Sequence, residues 1–155
     1  MANTSKNDAC TICDKIGLKP FTKDNVFNYY LPLHGLVSYG ALSVNVMNPN
    51  IVPKLLPRKQ DLTNVFLIST VVGTWFYIYG RPHLSDVQSN KRGLYALLGS
   101  TLFSMGSVLA WALIKSALPE NNSLLATVAG LASGAIIVKV STDYIQEVDN
   151  KLKKN

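Results

Sequence analysis

Charge is what this chain of 155 residues largely lacks. Asp, Glu, Lys and Arg make up 15% of it, against about a quarter in a typical soluble domain. None of them occurs in four stretches, residues 25–53, 62–80, 93–114 and 121–138. A charged side chain at the centre of a bilayer costs at least about 2.5–3.5 kcal/mol, and a spanning helix needs about 20 mostly apolar residues. The four stretches therefore predict an all-α, polytopic membrane protein.

Reactive motifs are missing as well. The sequence contains no P-loop, G-x-S-x-G, G-x-G-x-x-G or H-E-x-x-H pattern. Cys10 and Cys13 have the spacing of half a zinc site, but a structural zinc needs four ligands and no second C-x-x-C follows. The two histidines are His34 and His83, and no carboxylate falls inside an apolar stretch. We therefore expect no enzymatic activity, no metal and no cofactor.

The net charge of +6 does not indicate nucleic-acid binding. The 15 Lys and Arg residues are spread over all the polar segments, which is what anionic lipid headgroups favour on the flanks of membrane spans. Residues 1–24 are polar and contain no apolar run, so they do not resemble a cleavable signal peptide. The first span is therefore expected to act as an uncleaved targeting signal.

Four transmembrane helices give the clearest charge asymmetry between the two sides of the membrane. With four spans, eleven Lys and Arg lie on the side of both termini and four on the other side, whereas three spans leave eight against seven. The positive-inside rule therefore predicts four spans with both termini in the cytosol. Residues 29–47 are the weakest window because they contain Pro32, His34 and Asn45. This window is either a kinked span or a re-entrant hairpin, and the second case leaves three spans.

Three regions follow from this pattern: a polar N-terminal segment (1–24), a four-helix transmembrane domain (25–140) and an amphipathic, basic C-terminal tail (141–155). The fourth helix is expected to continue into the tail, with Val140, Tyr144 and Val148 on one face. The acidic residues Asp143, Glu147 and Asp149 are then expected to point to water. Trp111 is expected at the membrane interface opposite the tyrosine-rich one.

Small residues recur at helical spacing in the third and fourth apolar stretches. Residues 130–134 form a literal G-x-x-x-G, and small side chains let helix backbones approach closely in lipid. Because the connection between these stretches is short, the helices are expected to pack against each other, although contact with a partner subunit is the alternative. The predicted helix–helix interface consists of Ala96, Ser100, Ser104, Ala126, Gly130 and Gly134.

The end of the tail suggests a compartment. Lys151 and Lys153 stand in the last five residues, K-L-K-K-N, which resemble the K-x-K-x-x form of the dilysine retrieval signal of endoplasmic reticulum membrane proteins. That resemblance implies a cytosolic C-terminus and residence in the endoplasmic reticulum membrane. The mitochondrial inner membrane is the alternative location, and headgroup anchoring is the alternative role for the lysines.

These observations favour a small, non-catalytic accessory subunit or assembly factor of a larger membrane protein complex. Its expected partners are other membrane subunits and membrane lipids, with no nucleic acid. One alternative is a membrane enzyme or carrier for lipid-like molecules that uses His34, His83 and Arg81, with Lys91 and Arg92 near the headgroups. Another is a subunit of a mitochondrial inner-membrane complex.

Overall fold

The computed structural model describes residues 22–49, 62–119 and 122–153, and within these ranges it is helical without any strand. The four main helices are α1 (Leu31–Met47), α2 (Leu62–Tyr79), α3 (Ser89–Ala117) and α4 (Ser123–Lys153). Helices α2, α3 and α4 are long and apolar enough to cross a membrane. The predicted all-α membrane fold is thereby confirmed. Helix α1 has 17 residues and falls just short of that length.

Helix α1 is the end of a longer helical segment and not half of a re-entrant hairpin. A short α-helical turn, Lys23–Asn25, leads into a π-helical segment, Val26–Tyr30, in which the Leu31 N–H bonds to the Val26 carbonyl five residues back. Pro32 follows directly. Because proline lacks an N–H and its ring crowds the carbonyl four residues earlier, a widened turn at this point accommodates it. The helical segment as a whole is long enough to cross the bilayer.

The helices run alternately up and down between two ends of the bundle. At one end, which we call the Asn48 end, the Asn48 side-chain amide donates to Ser123 at the start of α4, and Asn45 Nδ2 donates to Thr63 Oγ1 at 2.6 Å. At the other end, which we call the Asp149 end, the last turn of α2 and the first turn of α3 are joined by a hydrogen bond from Trp75 Nε1 to the Gly93 carbonyl (3.0 Å). The start of the first helix and the far end of α4 both lie at this second end.

The surface and interior are inverted relative to a water-soluble bundle. In the most apolar windows of α2 and α4 only 11% of residues are buried, and in that of α3 22% are. Leucine, valine and isoleucine side chains face outward, whereas many buried positions carry serine or threonine. Lipid tails are as apolar as leucine, so close packing of small residues holds membrane helices together better than apolar burial does.

Helix α1 supplies most of the centre of the bundle. Its Tyr39, Leu42 and Met47 form the buried core together with Trp111 of α3. The hydroxyls buried around this core mostly bond to carbonyls of their own helices, such as Ser104 Oγ to the Ser100 carbonyl at 2.8 Å. A hydroxyl that is satisfied within its own helix lets the neighbouring helix approach without leaving an unpaired polar group.

Candidate functional site: the faces of α1 and the Asp149 clamp

The residues of the predicted helix–helix interface are mostly buried. Ala96, Ser100 and Ser104 are fully buried on one side of α3. On α4, Gly130 and Gly134 are buried, and Ala126 is half-buried against the core. The two stripes therefore face the interior of the bundle and not lipid.

The nearest neighbours of the two glycines of α4 come mainly from α1. A Cβ atom placed on Gly130 would meet Met47 Cγ at 2.7 Å and the Ser43 carbonyl at 3.3 Å. One placed on Gly134 would meet Trp111 of α3 at 3.3 Å and the Tyr39 ring of α1 at 3.4 Å. None of these nearest atoms belongs to Ala96, Ser100 or Ser104. The structure thus brings the glycines of α4 against α1 and Trp111.

The closest helix crossing in the described chain joins α1 and α2 at a pair of glycines. A Cβ placed on Gly35 would lie 2.7 Å from Gly73 Cα, and one placed on Gly73 would lie 2.8 Å from the Leu31 carbonyl. Both distances are shorter than real Cβ contacts, so the two backbones touch. This pair was not predicted from the sequence. The signal in the sequence was the three-residue spacing of Thr70 and Gly73, two small residues in a helix of mostly large side chains. The structure shows that both are buried on one face of α2.

A groove with a volume of about 470 Å³ opens between α1 and α4. It is lined largely by apolar or small residues from both helices: Leu36, Tyr39, Gly40, Leu131, Gly134 and Ala135. Lys139 and Thr142 line the part nearest the Asp149 end. Helix α1 is therefore in backbone contact with α2, whereas an open groove lies beside its contact with α4 at Gly130 and Gly134.

Asp149 ties the far end of α4 to the connection between α2 and α3. Its carboxylate accepts a hydrogen bond from the His83 backbone N–H (3.2 Å), lies 2.6 Å from His83 Nδ1 and pairs with Arg81 at 3.5 Å. We call these three residues the Asp149 clamp. Arg81 also lies over the Tyr77 ring, 4.1 Å from its centroid.

The expectation that Asp149 points to water is wrong. Its side chain is 8% exposed, because the short 3₁₀ turn Pro82–Leu84 folds against this face of α4. Asp143 and Glu147 are exposed, as expected. Trp111 also departs from its expected place: it is fully buried in the core and does not mark an interface.

The clamp lies outside the membrane-spanning part of α4. Asp149 is 26 residues beyond Ser123, or about 39 Å along the helix, whereas the hydrocarbon core is about 30 Å thick. Burial of the carboxyl opposes its ionisation. The hydrogen bonds from the His83 side chain and backbone, together with nearby positive charge including Arg81, outweigh that effect and lower the pKa of Asp149 below its ordinary value.

The other residues with chemical potential are not gathered into one site. His34 is exposed on α1, whereas His83 is held by Asp149. Among the described residues no group of three or more His, Cys, Asp or Glu side chains could hold a metal ion. Cys10 and Cys13 lie outside the described residues. Lys151 is exposed on the last turn of α4, and the Lys153 side chain is also outside the described part.

Comparison with known proteins gives no match: no protein-family model, no curated protein and no solved structure is significantly similar to this chain.

Proposed function

We propose that this protein is a small, non-catalytic accessory subunit or assembly factor that packs against another helix of a larger membrane complex. The supporting observation is an exposed face of α3 in which a glycine lies among large side chains. We call it the α3 outer face, and it consists of Leu98, Leu102, Gly106, Leu109 and Leu113.

Gly106 forms a notch at the centre of the α3 outer face. A Cβ placed on it would meet nothing within 4 Å, and Ala110 follows one turn later. Leu102, Leu109 and Leu113 rise on either side, each about two-thirds exposed. A small-x-x-x-small pair between leucine ridges is the surface that a second transmembrane helix packs against in lipid. By contrast, Gly35, Gly73, Gly130 and Gly134 already contact neighbouring helices inside the bundle.

Gly106→Leu tests this proposal because it fills the notch without touching the rest of the protein. We expect the wild-type protein, purified in mild detergent, to migrate on native gels in a complex much larger than the monomer. Gly106→Leu should remove that complex and leave the unfolding temperature of the protein unchanged. Ala132→Leu, which adds a similar side chain to an exposed position of α4, is the control and should leave the complex intact.

Two results would contradict the proposal. Migration of the wild-type protein solely as a free monomer would overturn the accessory-subunit function. A complex that survives Gly106→Leu would show that the α3 outer face is not the contact surface.

The endoplasmic reticulum membrane, with the Asp149 end facing the cytosol, is the compartment we propose. Lys151 is solvent-exposed beyond the clamp, where a cytosolic receptor could reach it. Changing Lys151 and Lys153 to Ser should leave membrane insertion intact, because the other basic residues at this end remain, but should release the protein to the Golgi. Immunofluorescence of the untagged protein distinguishes the outcomes: unchanged reticular staining rules out retrieval, and mitochondrial staining supports the alternative compartment.

A further inference from the structure

We infer that the groove between α1 and α4 binds one acyl chain of an anionic phospholipid, with Lys139 contacting the phosphate. This inference is independent of the α3 outer face, which lies on another helix. It depends on the shape of the groove, the depth of Lys139 and the absence of any competing partner for that lysine within the described residues.

The groove has the properties of a lipid site and not of a water-filled cleft. Its volume of about 470 Å³ lies within the range of small-molecule pockets, roughly 300–1,000 Å³. Its floor is formed by Gly134 and the side chains of Tyr39 and Ser43, and its walls by apolar residues such as Leu36 and Leu131. In a bilayer an open apolar channel between two helices is filled by hydrocarbon, since an empty one would lose dispersion contacts on both sides.

The backbone of Lys139 lies inside the apolar layer, close enough to its edge for the ammonium group to reach a phosphate. It is 16 residues beyond Ser123, or about 24 Å along α4 from the Asn48 end, and the hydrocarbon core is about 30 Å thick. A lysine at that depth can extend its ammonium group to the headgroup layer while its methylenes stay in the apolar region. The acyl chain of the same lipid would then run down the groove toward Leu131.

Lys139 has no partner in the described part of the chain. The ion pairs there are those of Asp149 with Arg81 and with His83, and Asp143, one turn away, is not bonded to Lys139. Lys115, near the opposite end of the bundle, instead donates to the Val46 carbonyl at 3.1 Å. An unpaired cation at the mouth of an apolar groove selects an anionic headgroup over a zwitterionic one.

Tryptophan fluorescence reports occupancy of the groove. The protein has two tryptophans, so Trp75→Phe leaves Trp111 as the single fluorescent reporter. Trp111 lies against Gly134, which lines the groove. In phosphatidylcholine vesicles doped with a brominated lipid, we expect brominated phosphatidylserine to quench Trp111 more strongly than brominated phosphatidylcholine does. Lys139→Gln should weaken the phosphatidylserine effect about fivefold, the loss expected for one basic residue near the surface.

Gly40→Leu places a large side chain in the groove from a position where the added Cβ meets nothing within 4 Å. This variant should abolish the preference for phosphatidylserine, whereas Ala132→Leu, which adds the same side chain at an exposed position of α4 outside the groove, should retain it. Mass spectrometry of lipids that copurify with protein containing both tryptophans gives a second readout: anionic phospholipid should be retained by the wild type and lost in Gly40→Leu.

The inference is overturned if both brominated lipids quench equally, or if Gly40→Leu changes neither quenching nor lipid retention. It is also overturned if a Gly40→Cys variant, made with Cys10 and Cys13 changed to Ser, cross-links to another polypeptide, because a partner helix would then occupy the groove.

Discussion

Helix α1 meets α2 and α4 in opposite ways. Against α2 it makes backbone contact at Gly35 and Gly73, and no side chain intervenes. Against α4 it faces a literal G-x-x-x-G, yet a groove of about 470 Å³ remains beside the contact. The closest approach therefore occurs where both helices carry a glycine at the crossing point. Glycines on one helix alone accommodate large neighbours, here Met47, Tyr39 and Trp111.

The two interfaces also differ in what holds them. Helix α4 has an open groove beside its contact with α1, and polar contacts fix it near both ends. Asn48 binds Ser123 at one end, and Arg81 and His83 bind Asp149 at the other. Helix α2 also has a polar contact near each end, from Asn45 to Thr63 and from Trp75 to Gly93, but among the described helices it alone has a backbone contact with α1 where both helices carry a glycine. The comparison predicts that α2 is sensitive to added volume and α4 to lost polar contacts.

Gly73→Ala should have the largest effect on stability. The new Cβ would meet backbone atoms of Leu31 and Gly35, and backbone cannot move aside as a flexible side chain can. We expect a loss of about 3 kcal/mol in unfolding free energy, at the upper end for an overpacked core. Denaturation in mixed detergent micelles would measure it, with Gly106→Ala as the control. An unchanged stability would show that the two helices are not in backbone contact.

Asp149→Asn should have the next largest effect, about 2 kcal/mol, because hydrogen bonds and pairs that involve a charge contribute about 1.5–3 kcal/mol. The loss should be confined to α4: limited proteolysis should cut within 139–153 while α2 and α3 stay protected. Asp143→Asn, an exposed carboxylate on the same helix, is the matched control. Equal effects of the two substitutions would contradict the clamp.

The clamp also predicts how stability depends on pH. Because the pKa of Asp149 is lower in the folded state than in the unfolded state, its contribution is fully present above the unfolded value of about 3.9. It is lost as pH falls through the folded pKa, since the unfolded chain then binds more protons. Thermal unfolding from about pH 7 to about pH 3 should show a smaller acid-induced decrease in Asp149→Asn than in the wild type. Parallel curves would contradict this.

Gly130→Ala and Gly134→Ala should have the smallest effects. A Cβ on Gly130 would meet Met47 Cγ at 2.7 Å and the Ser43 backbone carbonyl at 3.3 Å. Because the closer atom belongs to a side chain, which moves more readily than backbone, we expect a loss of about 1 kcal/mol. A Cβ on Gly134 meets ring atoms at 3.3 Å or more and should change stability less. The same detergent denaturation measures both. A loss at either position as large as that of Gly73→Ala would remove the distinction between the two interfaces.

The helices could be predicted from the sequence because lipid penalises charge locally, residue by residue. Which face of α3 and α4 is buried could also be predicted, since Ser100, Ser104, Gly130 and Gly134 repeat at helical spacing. The helix that packs against each face could not be predicted, because spacing along one helix does not indicate which other helix supplies the large side chains opposite it. Gly35 was missed for a similar reason: its window contains Pro32 and His34 and resembles the weakest span.

Asp149 shows a second limit of sequence reasoning. The carboxylate belongs to an amphipathic segment whose pattern predicts exposure, and its two partners are more than 60 residues earlier in the chain. The site of pairing is created by a turn, Pro82–Leu84, that is short and has no apolar periodicity. Contacts of this kind depend on tertiary placement and leave no local signature.

The position of Asp149 also has a consequence for biosynthesis. Arg81 and His83 leave the ribosome long before Asp149. Helices α1, α2 and α3 are therefore made while Arg81 and His83 still lack their carboxylate partner. They acquire it only when α4 has been threaded through the membrane and its end has emerged on the same side as the α2–α3 connection. A product truncated before residue 149, or one with α4 inserted the wrong way round, keeps the pair uncovered. Burial of Asp149 against Arg81 and His83 therefore requires α4 to be inserted in its final orientation.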